Sequence, residues 1–113
     1  TFTHGDELIL KAQKIMQSDY NKIIKMAELA GSLNITERTF LRRFVKSTGF
    51  KPSEYIQRLR IQKACDLLET TQHSFEVISN LVGYEDTSAC RRVFVRIVGL
   101  TPKAFKKRFV NTP

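Results

Sequence analysis

The sequence predicts an all-α chain made of two similar halves joined by a long helix. Each half is a short helix, a tight polar turn and a capped basic helix. Three observations carry this reading. Residues 36–49 form a segment with both helix ends marked. The run 53–69 is long and periodic in its apolar residues. Residues of the first half also recur fifty positions later: Arg42 as Arg92, Phe44 as Phe94, Gly49 as Gly99, Pro52 as Pro102 and Tyr55 as Phe105.

The 113 residues suffice for one domain or two small ones sharing a connector, and the 42% hydrophobic content is enough for a core. The net charge is +8. That balance favours a polyanionic partner, nucleic acid or an anionic membrane surface; a basic domain that is merely soluble is the plainer alternative. No apolar run approaches the roughly 20 residues of a membrane span, and the N-terminus lacks a charged-then-apolar signal pattern. Cys65 and Cys90 fit free thiols in a reducing compartment better than a disulfide framework. The chain begins at Thr1 without Met, which fits a piece of a longer protein.

Taken in order, residues 1–5 read as a tail or linker in which His4 is solvated. Asp6 and Glu7 favour a helix start, and Leu8, Ile9, Ala12, Ile15 and Met16 give that helix one apolar face. After a break at 19–21, the residues Ile23, Ile24, Met26, Ala27, Leu29 and Ala30 predict a second, shorter helix. Residues 31–35 form the turn, with Leu29, Leu33 and Ile35 filling the angle before the next helix. Thr36 caps that helix through its hydroxyl and Gly49 stops it. Its apolar stripe is Phe40, Phe44 and Val45; Arg38, Arg42, Arg43 and Lys46 lie on or beside the other face. Such a helix is either a recognition helix for the DNA major groove or a surface helix with a solvated basic face. The short helix, turn and capped helix together make the helix-turn-helix layout.

Pro52 opens the long helix, which Tyr55, Ile56, Leu59, Ala64, Leu67 and Leu68 line. Ser74 caps a short helix with Val77, Ile78 and Leu81 inward, and His73 before it reads as solvated, since no second His or Cys stands at ligand spacing. Residues 82–85 are the second turn. Asp86 caps a second basic helix bearing Thr87, Ser88, Arg91, Arg92 and Arg96, with Ala89, Cys90, Val93, Phe94, Ile97 and Val98 inward. Thr101 and Pro102 start a closing helix with Ala104, Phe105 and Phe109 apolar. No acidic residue follows Asp86, an asymmetry that suits a phosphate-facing surface. The expected divisions are a tail at 1–5, a first unit at 6–50, a linker helix at 51–72 and a second unit at 73–113. Two basic helices held about one DNA turn apart, roughly 34 Å, can enter successive major grooves, so one chain would read an asymmetric site.

The segments Ala-Glu-Leu-Ala (27–30), Phe-Leu-Arg-Arg-Phe (40–44), Gly-Phe-Lys-Pro-Ser-Glu-Tyr-Ile (49–56), Arg-Ile-Gln-Lys-Ala (60–64), Val-Gly-Tyr-Glu-Asp (82–86) and Gly-Leu-Thr-Pro-Lys-Ala-Phe (99–105) resemble the AraC/XylS DNA-binding domain. The likeness runs from about Asp6 to Phe109. The 68–71 stretch and the paired arginines resemble members with an N-terminal DJ-1/PfpI, glutamine-amidotransferase-like domain. The resemblance implies a seven-helix bundle in a cytoplasmic, nucleoid-associated bacterial transcription regulator. It also implies an activator that touches RNA polymerase, with no cofactor or metal.

By matched position it puts base reading on Arg38, Leu41 and Arg42, and on Thr87, Ser88, Arg91 and Arg92. Arginine can bond guanine O6 and N7 together, while Leu41 offers only contact with a thymine methyl. Phosphate contacts fall to Thr36, Arg43, Lys46, Lys51, Arg96 and Lys103. Arg60 is read as either a structural ion-pair partner or a DNA contact, and Arg96 alternatively as solvated. Lys25 and Lys51 stand where a capping Ser or Thr is usual, and Cys90 where a larger apolar residue is. An RNA-binding platform needs exposed aromatics, whereas most rings here fall on inward faces. Non-specific binding to nucleic acid or an anionic surface remains the alternative function. The sequence shows no Ser/His/Asp set, metal cluster or Gly-rich phosphate loop, so no enzyme is expected.

Overall fold

A computed structural model describes residues 6–110. The reading of 1–5 as a tail, with His4, lies outside the described residues. Among those described are seven α-helices and no strand: α1 (Glu7–Asp19), α2 (Met26–Ser32), α3 (Glu37–Thr48), α4 (Pro52–Thr70), α5 (Phe75–Leu81), α6 (Thr87–Val98) and α7 (Pro102–Phe109). The chain divides into two compact units between Ile56 and Gln57, inside α4.

In the first unit, Asp6 caps α1 by accepting from the Leu8 N–H at 3.1 Å. Ile9, Ala12 and Met16, at three- and four-residue spacing, are fully buried. The second helix starts later than expected. Lys25 is extended (φ −86°, ψ 122°) and supplies no side-chain cap, so Ile23 and Ile24 precede the helix and Ile23 is left 87% exposed. In the turn, the Leu33 and Ile35 N–H groups both donate to the Ala30 carbonyl, at 3.0 and 3.2 Å. Between them Asn34 takes a left-handed φ of 60°, which Asn tolerates better than most residues.

Thr36 then caps α3 by accepting from the Thr39 N–H at 3.1 Å, and Gly49 ends it at φ 80°. Phe40 and Phe44 are fully buried. Their rings sit 5.6 Å apart, and Phe44 meets Tyr55 edge-on at 5.3 Å. Val45 does not join them: it follows Phe44 by one residue, about 100° round the helix, and is exposed.

The second unit is built alike. Ser74 caps α5 and Asp86 caps α6, accepting from the N–H groups of Val77 and Ser88. Gly99 ends α6 at φ 83°. Thr101 and Pro102 start α7 as expected. Ile61, Ala64, Leu68, Ile78, Val82, Cys90, Phe94 and Phe105 form its apolar core, with Phe94 edge-on to Phe75 at 5.7 Å and to Phe105 at 5.8 Å. Two inward expectations fail: Val77 and Leu81 are exposed, because Ile78 and Ser79 are the residues of α5 that are buried. Phe109, apolar at the end of α7, is exposed as well. The buried Ser79 hydroxyl donates to the Phe75 carbonyl at 2.8 Å, satisfying itself within its own helix.

The fifty-residue repeat holds from α3 onward but not before it. The buried pair Leu29 and Ala30 recurs as Ile78 and Ser79. The left-handed Asn34 recurs as Gly83, and the bond from Ile35 N–H to Ala30 recurs as Tyr84 N–H to Ser79. Each of these pairs is one residue closer than fifty, so the second turn is one residue longer than the first. The buried triplet Ile9, Ala12 and Met16 of α1 has its counterpart in Ile61, Ala64 and Leu68 of α4.

Candidate nucleic-acid interface

Capping and the inward phenylalanines together decide which side of α3 faces solvent. With Phe40 and Phe44 buried, the opposite side presents Arg38, Leu41, Arg42, Val45 and Lys46, all exposed. Thr39, Arg42, Arg43, Lys46 and Ser47 line a shallow concavity beside Asp6. In α6, burial of Cys90 and Phe94 leaves Ser88, Arg91, Arg92, Val95 and Arg96 exposed and Thr87 half-buried. Ser88, Arg91, Arg92 and Val95 border a second open concavity. One quartet of positions is therefore solvent-facing on both capped helices: Arg38, Leu41, Arg42 and Val45 on α3, and Ser88, Arg91, Arg92 and Val95 on α6. Their chemistry agrees at two places and differs at two. The sequence reading missed Val45 and Val95. The signal was present, since each lies three residues after an outward arginine and so on the same side.

The expected phosphate residues meet different fates. Lys46, Lys51 and Lys103 are exposed. Arg43 is committed within the first unit, its Nε and Nη2 donating to the two carboxylate oxygens of Asp6, the residue that caps α1. The guanidinium holds the Asp6 carboxyl below its usual range, and the carboxylate raises Arg43 in turn. The Thr36 hydroxyl is occupied by capping and by donation to Thr39 Oγ1 at 3.0 Å. Arg96 Nη2 donates to Gln57 Oε1 at 2.6 Å, and is thus bonded rather than merely solvated. Arg91 lies over the Phe75 ring, 5.4 Å from its centroid. Arg60 also packs on a ring, 5.1 Å from the centroid of Tyr84.

His73 is exposed. The two thiols are unpaired with one another. Burial pushes Cys65 up to about 11, helped by Asp66 and Glu69, and burial also raises Cys90; neither is poised as a thiolate. Among the described residues no group of three His, Cys, Asp or Glu could hold a metal ion, and no helix is long and apolar enough to cross a membrane.

The profile of a family described as "Helix-turn-helix domain" matches residues 29–108. Among relatives, the Msm operon regulatory protein of Streptococcus mutans is 32% identical over 101 residues, covering 89% of this chain and 36% of that protein. The HTH-type transcriptional activator RhaR of Yersinia pseudotuberculosis is 29% identical over 109 residues, 96% of this chain and 37% of its own length. The chain thus spans little more than a third of these relatives. Among solved structures, the C-terminal domain of AraT, a response regulator from Geobacillus stearothermophilus, superposes with a TM-score of 0.90 at 18% identity, covering 97% of this chain and 92% of that one. The DNA-binding domain of the global transcriptional factor AdpA, solved in complex with a target DNA, gives 0.83 at 26% identity, covering 89% of this chain and 91% of that one.

Proposed function

The chain belongs to the AraC/XylS helix-turn-helix family, and from that premise we propose that it binds one duplex DNA sequence to control transcription, with α3 and α6 as two recognition helices. The observation that carries this is the shared outward quartet. The same four positions on two capped helices face solvent, and each set holds an arginine at its third place, Arg42 or Arg92. Likeness to the AdpA DNA-binding domain, solved with its target DNA, supports the reading.

The chemistry assigns a role to each group. Arg42 and Arg92 pair bidentately with guanine. Arg38, Ser88 and Arg91 offer further polar contacts to base edges, and Leu41, Val45 and Val95 fit thymine methyls. Thr87, half-buried at the start of α6, is kept as a lesser candidate. Lys46, Lys51 and Lys103 set register on phosphates without specifying sequence. Because Leu41 and Arg91 occupy equivalent places, the two helices prefer different sequences and the operator is asymmetric, with two blocks in successive major grooves. We place the protein in the bacterial cytoplasm as part of a longer activator whose remaining region senses the signal and touches RNA polymerase. The isolated chain acts as a monomer.

Selection of random duplexes at near-physiological salt tests this. Two enriched blocks about one helical turn apart are expected. Arg42→Ala or Arg92→Ala should lose about 1–3 kcal/mol on the selected site and far less on random DNA. Lys46→Ala should weaken both and lower the salt slope by about 1. Binding without an enriched sequence that vanishes as salt rises would leave only non-specific attraction and defeat the proposal.

A further inference from the structure

Two polar contacts in the second unit connect α4 to the turn before α6 and to the last turn of α6, and the DNA-reading role uses neither. Arg60 packs over the Tyr84 ring at 5.1 Å, well inside the roughly 6 Å range of a cation–ring attraction. Tyr84 occupies the turn two residues before Asp86, the α6 cap, and its backbone N–H is fixed on Ser79 at 2.9 Å. Its hydroxyl is buried, and burial raises its pKa against the lowering influence of the adjacent Arg60 guanidinium. Gln57 accepts from Arg96, in the last turn of α6, at 2.6 Å. Gln57 and Arg60 are three residues apart on α4 and so share one side of it.

The first unit lacks the residue types for such a bracket. By its shorter register, Ile35 holds the place of Tyr84, since both N–H groups bond the equivalent carbonyl. By the buried triplets of α1 and α4, Leu8 holds the place of Arg60. Leu8 and Ile35 offer neither a charge nor a ring.

We infer that Gln57 and Arg60 are positioning residues for the second recognition helix, Arg60 steadying the turn that leads into α6 and Gln57 its far end, and that together they sharpen sequence preference at the block α6 reads. This rests on the DNA-reading function above. Base recognition needs its side chains held to fractions of an ångström, because a bidentate arginine displaced by that much loses one of its two bonds. A steadied α6 therefore discriminates more sharply without touching more DNA. The block read by α3 is the internal control.

Random-duplex selection and salt titration on the chain, Arg60→Ala, Arg60→Lys, Tyr84→Leu, Tyr84→Phe and Gln57→Ala test it, with circular dichroism reporting folding. Arg60→Ala and Tyr84→Leu should keep the α3 block and lose about tenfold discrimination in the α6 block, with the salt slope unchanged. Arg60→Lys and Tyr84→Phe keep a cation against a ring and should keep both blocks. Gln57→Ala, which removes a half-buried amide, should blunt the α6 block even if the other two losses prevent folding. An unaltered α6 block in Arg60→Ala and Gln57→Ala would overturn the inference, as would a salt slope lowered by about one in Arg60→Ala, the mark of a direct phosphate contact. Failure of the unmodified chain to enrich any sequence would instead overturn the DNA-reading function itself.

Discussion

Replacing Phe44 by alanine should come close to unfolding the first unit. The side chain is fully buried, and truncating a buried phenylalanine costs about 3–5 kcal/mol through lost transfer energy and the cavity left behind. The upper half of that range is expected here. Phe44 is in ring contact with both Phe40 at 5.6 Å and Tyr55 at 5.3 Å, and such contacts add about 0.5–1.5 kcal/mol each beyond burial. A unit of about 50 residues holds on the order of 3–8 kcal/mol in total. The loss is therefore comparable with the whole. At about 4–8 °C per kcal/mol for a domain of this size, the thermal midpoint should fall by at least about 16 °C. Thermal and urea melts followed by far-ultraviolet circular dichroism measure it, with Phe44→Leu as the milder companion that refills most of the space. A fall under about 4 °C, corresponding to less than about 1 kcal/mol, would refute the view that this ring seals the core beneath α3.

Other outcomes follow from the caps, the ion pair and the helix stops. Lys25 caps α2 with no side-chain bond although its backbone already has the extended cap geometry; Lys25→Ser should raise stability by about 0.5–1 kcal/mol, whereas Thr36→Ala should lower it by about 1, both read from urea midpoints. Asp6→Asn keeps a good capping side chain but loses the charge facing Arg43. Since the Arg43 guanidinium holds the folded Asp6 carboxyl below the ordinary carboxylate range, the contribution of the pair is present above the unfolded value and disappears as pH falls through the folded one. The stability gap between the unmodified chain and Asp6→Asn should thus be constant near neutrality and close in acid; a gap that widens in acid would contradict the pairing. Gly49→Ala and Gly99→Ala place a Cβ at φ 80° and 83°, and each should cost about 1–2 kcal/mol in a melt.

Much of this was legible because caps and breakers act locally. Thr36, Ser74, Asp86 and Thr101 all cap as their residue type and spacing suggested, Asp6, expected only to favour a helix start, caps α1 as well, and Gly49 and Gly99 both stop helices. Burial was harder to read. Ile23, Val45, Val77, Leu81 and Phe109 are apolar yet exposed, because a small unit has more apolar side chains than interior and only the helix phase decides which are enclosed. The long-range pairings were also hidden. Arg43 with Asp6 and Arg96 with Gln57 lie 37 and 39 positions apart, a distance at which a charged surface residue gives no hint of its partner. The extra residue in the second turn leaves no mark on the fifty-residue repeat, whose shared landmarks, Arg42 to Tyr55 and Arg92 to Phe105, all lie after it.

The two halves have drifted apart inside more than outside. Phe40 and Cys90 are equivalent and both fully enclosed; the ring missing from α6 is matched by one on α5, where Phe75 stands at the place of Met26 in the first unit. A whole recognition helix is consequently not an exchangeable cassette, since its inner surface is fitted to its own neighbours. The outward quartet is different, since none of its members seals a core. Retargeting by exchanging Arg38, Leu41, Arg42 and Val45 for the residues at 88, 91, 92 and 95 is thus open to an engineer, while grafting α6 in place of α3 would leave a void the size of a benzene ring.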